Sequence, residues 1–435
     1  MNRYIEEAIH ELRVAGARYA KPLRYYDGSH DLAFATEKFA TTFGSLFREF
    51  ALNLCPAVCD AIRDKLRITS FACSRSEVGD ATRTGDALER SAGTAEAVTR
   101  AVEQIWRRSR MQLRAAEVHR EALIAGDAYV VVWPDAAGGA AIYPHRAAAC
   151  TVTYDDERPG QIIRAAKFWR THDRLTRLNL FFPDRIERYV TGRASDAALP
   201  EARDLIPFRD TASGEQNSEL ANPFGIVPVF HFANNAATGA AGRSELHAAI
   251  PVQDGLNKSV LDMLVAMEYS AYRQRWAAGI EVTKGTDGEP AAPFKAGVDH
   301  LWIAESPNAR FGDFGTANLD QFLKVKDSFR IDMASVTGTP MYYLLPHTRG
   351  FPSGEAMQRA ESRFTAKVRD RQSAFGQTWS EAMAFAARIE GHGGVTVETR
   401  WEDPTSTTER ERLESIVLRK QIGLSTEKAL AEAGY

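Results

Sequence analysis

A chain of 435 residues with 44% hydrophobic and 26% charged residues has an ordinary globular composition, which excludes a collagen-like, a disulfide-rich or a disordered protein. That length predicts more than one folding unit. Lys and Arg number 54 against 57 Asp and Glu, and the formal net charge of -3 argues against a protein that clamps phosphates over its whole surface.

The N-terminal MNRYIEEAIHELRVAG has no apolar run after its basic residue, so no signal peptide is expected; no run in the chain reaches the roughly 18 apolar residues of a membrane span. Ile5, Ala8, Ile9, Leu12 and Ala15 instead repeat at helical spacing, and Pro22 is expected to close that helix. Phe43, Leu46, Phe47, Phe50, Leu54, Val58, Ile62 and Leu66 predict a second helix ending near Arg67. Cys55 and Cys59 fall on it and read as small buried apolar residues of a protein made in a reducing compartment. The polar stretch Ser74 to Gly93 reads as a loop, and Thr94 to Ala125 as a helix with Val98, Val102, Ile105, Leu113 and Val118 as its stripe.

At Gly126 the pattern changes to strands. DAYVVVWPDAAGGAAIYP predicts a hairpin turning at Asp135 to Gly139, and 151–154, 162–170, 178–182 and 186–190 continue an antiparallel meander without intervening helices. This is the signature of an α+β domain rather than a doubly wound one. A long polar loop, 192–222, precedes a strand at 227–232. Helical spacing resumes from Ser244 to about Ala278, interrupted near Pro251. The Gly- and Pro-rich segment 279–318 with strand-like GIEVT and HLWIA forms a small β-rich excursion, and 319–337 is a second helix. The segment 338–352 carries three prolines and is expected to hold no regular element. A long helix follows from Ser353 to Ile389 with Phe364, Val368, Phe375 and Trp379 as core, then the strand VTVETRWED and helices at 405–420 and 425–433.

Enzyme and nucleotide motifs are missing: there is no GxxxxGK[ST], GxGxxG after a strand, HExxH, GxSxG or EF-hand loop. His145 and His231 at strand ends read as structural, and the acidic Asp155, Asp156 and Glu157 as a solvated turn. The cations Arg359, Arg363, Lys367, Arg369 and Arg371 of the long helix are expected to pair with Glu355, Glu361 and Asp370 at helical spacing.

The order helix, small β excursion, helix, Gly/Pro-rich loop and long helix, after a mixed sheet domain, resembles the portal protein, or head-tail connector, of tailed bacteriophages, in its siphophage-type branch. The resemblance is carried by RYYDGSH near Arg24, ALIAGDAYVVVW at Ala122, TYDDERPGQIIRAAKFW at Thr153 and NPFGIVPVFHFANN at Asn222. Two further stretches support it, GRSELHAAIPVQDGLNKSVLDMLVAMEYSAYRQRWAAG at Gly242 and ASVTGTPMYYLLPHTRGFPSGEAMQRAESRFTAKVRDRQSAFGQTW at Ala334. It implies a non-enzymatic ring, usually of twelve subunits, at one capsid vertex. Such a ring passes double-stranded DNA during packaging and ejection and docks the terminase large subunit, then the head-tail adaptor. The major capsid protein would be a further partner, with scaffold as another candidate; no membrane, cofactor or metal is implied, and the ring is assembled in the host bacterial cytoplasm and ends in the virion.

By this likeness the portal fold divides into a wing of mixed α/β structure at 1–243, a stem helix at 244–278, the clip at 279–318 and a second stem helix at 319–337. A tunnel loop at 338–352, a long wing helix at 353–390 and a short crown side at 391–435 complete it. His347, Arg349, Lys324, Lys326 and Arg330 become candidates for DNA contact, the alternative being solvated side chains or inter-subunit pairs. Tyr272, Arg273, Arg275 and Trp276, with Trp302 and Phe311, become candidates for subunit or clip contact. The rivals are another virion structural protein, such as a minor head or adaptor protein, and a motif-poor enzyme.

Overall fold

The computed structural model describes residues 3–34, 41, 52–75, 85–194, 199–209, 218–271, 275–279, 307–313, 320–345, 354–405, 409–421, 423 and 425–426. The chain divides into two units, one of residues 1–31, 51–253 and 330–435 and one of residues 32–50 and 254–329.

Helix α1 (Arg3–Tyr26) runs through Pro22 instead of stopping at it. The ring removes one N–H and leaves the Arg18 carbonyl without its helical donor, at a cost of about 3 kcal/mol. Tyr19 and Tyr25, fully buried on either side of the proline, anchor the helix to the core across the gap. Its N-terminal half lays Ile5, Ala8, Ile9 and Leu12 on Ala166, Leu178, Leu180 and Phe182 of a sheet.

Helix α2 (Cys55–Arg63) ends four residues earlier than expected, because strand β1 (Ile68–Arg75) follows at once. The start of the expected second helix, including Phe43 to Phe50, lies outside the described residues. The expected loop before Gly93 is helical from residue 85, and the single helix expected up to Ala125 is two: α3 (Gly85–Arg108) and α4 (Met111–Ala125). The break is at Arg110, whose φ of 55° is left-handed and costs a non-glycine residue about 1–2 kcal/mol. It shifts the helical register, so Met111 is buried whereas Leu113, placed on the apolar stripe by sequence, is 71% exposed.

Strands β2 (Asp127–Pro134) and β3 (Ala140–His145) form the expected hairpin, but the meander is split over two sheets. β2 is the middle strand between β3 and β10 (Val229–Ala233), and residues 127–132 are all buried, which is why AYVVV shows no polar alternation. The second sheet is antiparallel in the order β4 (Cys150–Tyr154), β5 (Ile162–Arg170), β6 (Thr176–Phe181), β7 (Arg185–Thr191) and β8 (Leu205–Pro207). The short β9 (Glu219–Ala221) pairs the other end of β7, so the expected long loop holds two strands. Side chains alternate across this sheet: Ala166, Leu178 and Leu180 face α1, while Ala165, Phe181 and Ile186 pack with Tyr129, Val131 and Val229.

Helix α5 (Ala249–Ala271) begins after a turn of 3-10 helix, and Pro251 sits in its first turn, where the missing N–H has no helical partner to lose. The helix stops short of Ala278, because Arg275–Ala278 is strand β11, paired with β12 (Arg310–Asp313). GIEVT beyond Gly279 and HLWIA lie outside the described residues. Helix α6 (Asp320–Thr337) is followed by the short α7 (Met341–Leu344), a regular element in a segment expected to have none. Helix α8 (Gly354–Ile389), strand β13 (Val395–Trp401), which pairs β1, and helix α9 (Glu409–Gln421) complete the described chain.

Trp379 of α8 is fully buried among Trp106, His119 and Phe232, with ring centroids 4.7–6.1 Å apart. Its indole N–H donates to His119 Nε2 at 2.9 Å, so that nitrogen must stay unprotonated. Burial pushes His119 down to about 3. The unfolded chain binds this proton near 6.5, so between these values it holds more protons than the folded chain, and stability falls as pH falls by up to about 1.4 kcal/mol per pH unit. From pH 7 to pH 5 the wild-type chain is expected to lose about 2 kcal/mol more stability, read from urea midpoints, than His119→Gln does. Parallel pH profiles of the two proteins would contradict this assignment.

Candidate functional site

The arrangement closest to a catalytic constellation centres on Asp127, the first residue of β2. Its Oδ1 accepts from His231 Nε2 at 2.8 Å and from the Gly242 amide at 2.6 Å, and its Oδ2 accepts from Tyr19 and Arg18, each at 2.6 Å. With Nε2 donating, His231 Nδ1 accepts from the Tyr154 hydroxyl at 2.7 Å. Burial would raise the Asp127 carboxyl, but His231, Tyr19 and the Gly242 amide hold it below the usual carboxylate range. Burial raises the Tyr19 and Tyr154 hydroxyls, which therefore remain donors. Every polar atom of this Tyr-His-Asp chain is turned on another of its members, and the side chains of Asp127 and His231 are 0% and 2% exposed. It fastens α1, β2, β4 and β10 to the turn at Gly242, and it presents no nucleophile to a substrate.

The surfaces singled out by sequence are elsewhere. On α6, Lys324 is exposed and Lys326 and Arg330 are half-buried; the latter two, four apart, share a face. The same helix exposes Leu323 and Ile331 by 48% and 50% and Val325 and Val336 by 43% and 49%. Leu323 and Ile331 are eight residues apart and so lie on one face, separate from the buried Met333. In the β11–β12 hairpin Trp276 stands opposite Gly312 and Ala277 opposite Phe311. Trp276 and Phe311 therefore project from opposite faces, 40% and 42% exposed, and the Trp276 indole covers Gly312 so closely that a Cβ there would lie 2.6 Å from it. Arg275 is in the same strand, opposite Asp313. Tyr272, Arg273, Trp302, His347 and Arg349 lie outside the described residues.

A third feature went unread in the sequence. Glu245, just before α5, accepts from Arg371 Nη2 at 2.8 Å and Nε at 2.9 Å, from Lys367 Nζ at 2.6 Å and from Asn234 Nδ2 at 3.1 Å. Burial would raise its carboxyl, yet Lys367 and Arg371 together hold it below the usual range. Lys367 Nζ also donates to the Thr337 carbonyl at 2.9 Å, so one α8 side chain holds both the approach to α5 and the end of α6. The expected pairing within α8 is thereby corrected: Lys367 and Arg371 turn inward to Glu245, Arg369 reaches Asp403, and Glu361 accepts from Tyr342. Only Arg371 with Asp370 pairs along the helix among the described side chains. A buried carboxylate outcompetes exposed ones because its attraction is less screened. The spacing of Arg363, Lys367 and Arg371, each four apart, was the available signal for one cationic face.

The family described as Phage portal protein, SPP1 Gp6-like, matches residues 82–433. The portal protein of Mycobacterium phage L5 is 29% identical over 210 residues, 46% of this chain and 43% of that protein. The portal protein of Mycobacterium phage D29 is 29% identical over 208 residues, 45% of this chain and 43% of that protein. The matched region thus spans less than half the length of these relatives. Among solved structures, a chain from the virion of a native gene transfer agent particle has a TM-score of 0.41 at 14% identity, covering 81% of this chain and 94% of that one. A chain from the neck of the native particle, computed with C12 symmetry, has a TM-score of 0.43 at 12% identity, covering 92% and 94%.

Proposed function

The chain belongs to the SPP1 Gp6-like family of phage portal proteins, and from that premise we propose that it forms a homo-oligomeric ring of twelve copies at one capsid vertex and channels double-stranded DNA in packaging and ejection. The observation that carries this reading is the family match over residues 82–433. The ring docks the terminase large subunit during packaging and the head-tail adaptor afterwards, and it is seated against the major capsid protein. It is assembled in the host cytoplasm and retained in the virion. It performs no catalytic step of its own; the motor supplies the force, and the ring supplies alignment and a constriction.

Residues 1–243 and 353–390 form the wing in this reading, 244–278 and 319–337 the stem, 279–318 the clip, 338–352 the tunnel loop and 391–435 the crown side. The apolar faces of α6 and the aromatic side chains of the β11–β12 hairpin support it, since both leave apolar surface that a second copy would cover. A two-stranded antiparallel pair is marginal alone, and strands added by a neighbouring copy would stabilise it.

The near-neutral charge of -3 suits a channel. Each neutralised phosphate adds affinity by counterion release, so a strongly basic wall would hold the duplex still. A few cations repeated around a ring are enough to guide it. The double change Lys324→Glu and Lys326→Glu is expected to leave ring assembly intact and lower the yield of DNA-filled heads about tenfold or more, counted by electron microscopy of lysates. Normal filling by that variant would remove these lysines from the channel.

A further inference from the structure

A cleft of about 350 Å³ opens between the Gly242–Ala248 turn, the end of α6 and the middle of α8. At about 30 Å³ per water it has room for roughly ten waters, or for an oxyanion with part of its hydration shell. Arg243, Ser244, His247, Arg363, Lys367 and Arg371 line it together with Glu245.

The balance of charge in this cleft is lopsided. Its two negative features are Glu245 and the carbonyl end of α6, and both are already answered. Lys367 and Arg371 neutralise Glu245, and Lys367 Nζ also caps the Thr337 carbonyl. Arg243 and Arg363 remain, both exposed and paired with no carboxylate of the described residues, and they stand on the rim beside the exposed His247. The Ser244 oxygen accepts from the Leu246 amide at 3.0 Å, which leaves its hydroxyl proton to donate into the same space. The donors therefore outnumber the acceptors, and the two unclaimed groups are guanidinium forks, whose geometry matches a phosphate. Among the described lining residues the one carboxylate, Glu245, is already taken by Lys367 and Arg371.

We propose that this cleft is an oxyanion site that takes a phosphate group, with Arg243 and Arg363 as its primary ligands and Lys367 and Arg371 fixing its floor through Glu245. The inference does not depend on ring formation or on a channel, because it rests on the chemistry of one copy. The phosphate has two possible sources with the same chemistry: free inorganic phosphate, or a phosphodiester of a nucleic-acid backbone.

The test uses the full chain in chloride buffer. Inorganic phosphate and a 12-base-pair duplex are titrated calorimetrically into the wild type, the double variant Arg243→Gln and Arg363→Gln, the conservative Arg363→Lys, and Arg388→Gln, an exposed arginine outside the cleft. Thermal unfolding and particle mass are recorded for each protein. The double variant is expected to bind the probe about tenfold more weakly with unchanged mass and unfolding, Arg388→Gln to behave as wild type, and Arg363→Lys to retain part of the affinity. A loss confined to inorganic phosphate identifies the free ion as the source. A fall of about one to two in the salt slope of duplex binding identifies the backbone. The proposal is overturned if the wild type binds neither probe, or if the double variant binds both as the wild type does. It is also overturned if the double variant changes particle mass alone, since the cleft would then serve a carboxylate of another copy.

Discussion

Gly242→Ala is expected to abolish the folding of the larger unit, with loss of soluble protein or a drop in stability of more than about 4 kcal/mol. A Cβ at Gly242 would lie 1.9 Å from the Gly126 carbonyl oxygen and 2.7 Å from the Asn234 amide nitrogen. Both are backbone atoms, so no side-chain rotation relieves the overlap, and Gly126 itself has a φ of 101°, a conformation that glycine alone adopts readily. Pushing the two strands of chain apart breaks the Asn234 amide to Gly126 carbonyl bond at 2.8 Å and the Arg243 amide to Asn234 carbonyl bond at 2.7 Å. It also withdraws the Gly242 amide from Asp127, leaving a fully buried carboxylate short of a donor. The control is Gly16→Ala in α1, where a new Cβ meets nothing within 4 Å. That substitution is expected to raise stability by about 0.5–1 kcal/mol, because alanine loses less backbone freedom in a helix. Urea denaturation followed by tryptophan fluorescence reads both variants. A Gly242→Ala protein with the wild-type midpoint would show that the contact between Gly126 and Gly242 is not fixed in solution.

The second large effect is on assembly. Leu323 and Ile331 are half-exposed on α6 and make no contribution to a core that would account for them. Each is already half buried, so burying the remaining half against another copy would contribute about 0.7–1.5 kcal/mol per side chain, repeated at every interface of a closed ring. Leu323→Glu with Ile331→Glu is therefore expected to leave the far-ultraviolet circular dichroism close to wild type and to shift particle mass from a ring to a monomer, with the unfolding midpoint lowered only by the lost association. Wild-type mass in this variant would place the subunit contact on another surface.

Most elements of the fold were legible, and the exceptions share a cause. Strands β2 to β7 announce themselves by β-branched and aromatic runs separated by Asp/Gly turns, and helix α8 by a seam of large apolar residues. Pro22 misled because the rule that proline stops a helix is local, and the buried Tyr19 and Tyr25 override it. Arg110 misled in the opposite sense: no glycine or proline marks the break between α3 and α4, where a left-handed arginine stands between the fully buried Ile105 and Met111. Arg275 to Ala278 carried the helical spacing of what precedes it, yet its partner strand is 35 residues further on, a non-local pairing that no window along the sequence contains. The Glu245 cluster was missed for the same reason, since Arg371 lies 126 residues away and a count of helical neighbours prefers Asp370.

The roles proposed for Lys324, Lys326 and the exposed faces of α6 depend on an assembled ring, and the most direct test of that assembly is electron microscopy of the purified chain. The account predicts closed rings with a central hole, of one diameter, with twelve-fold symmetry in class averages. A homogeneous monomer at every salt and protein concentration would contradict it.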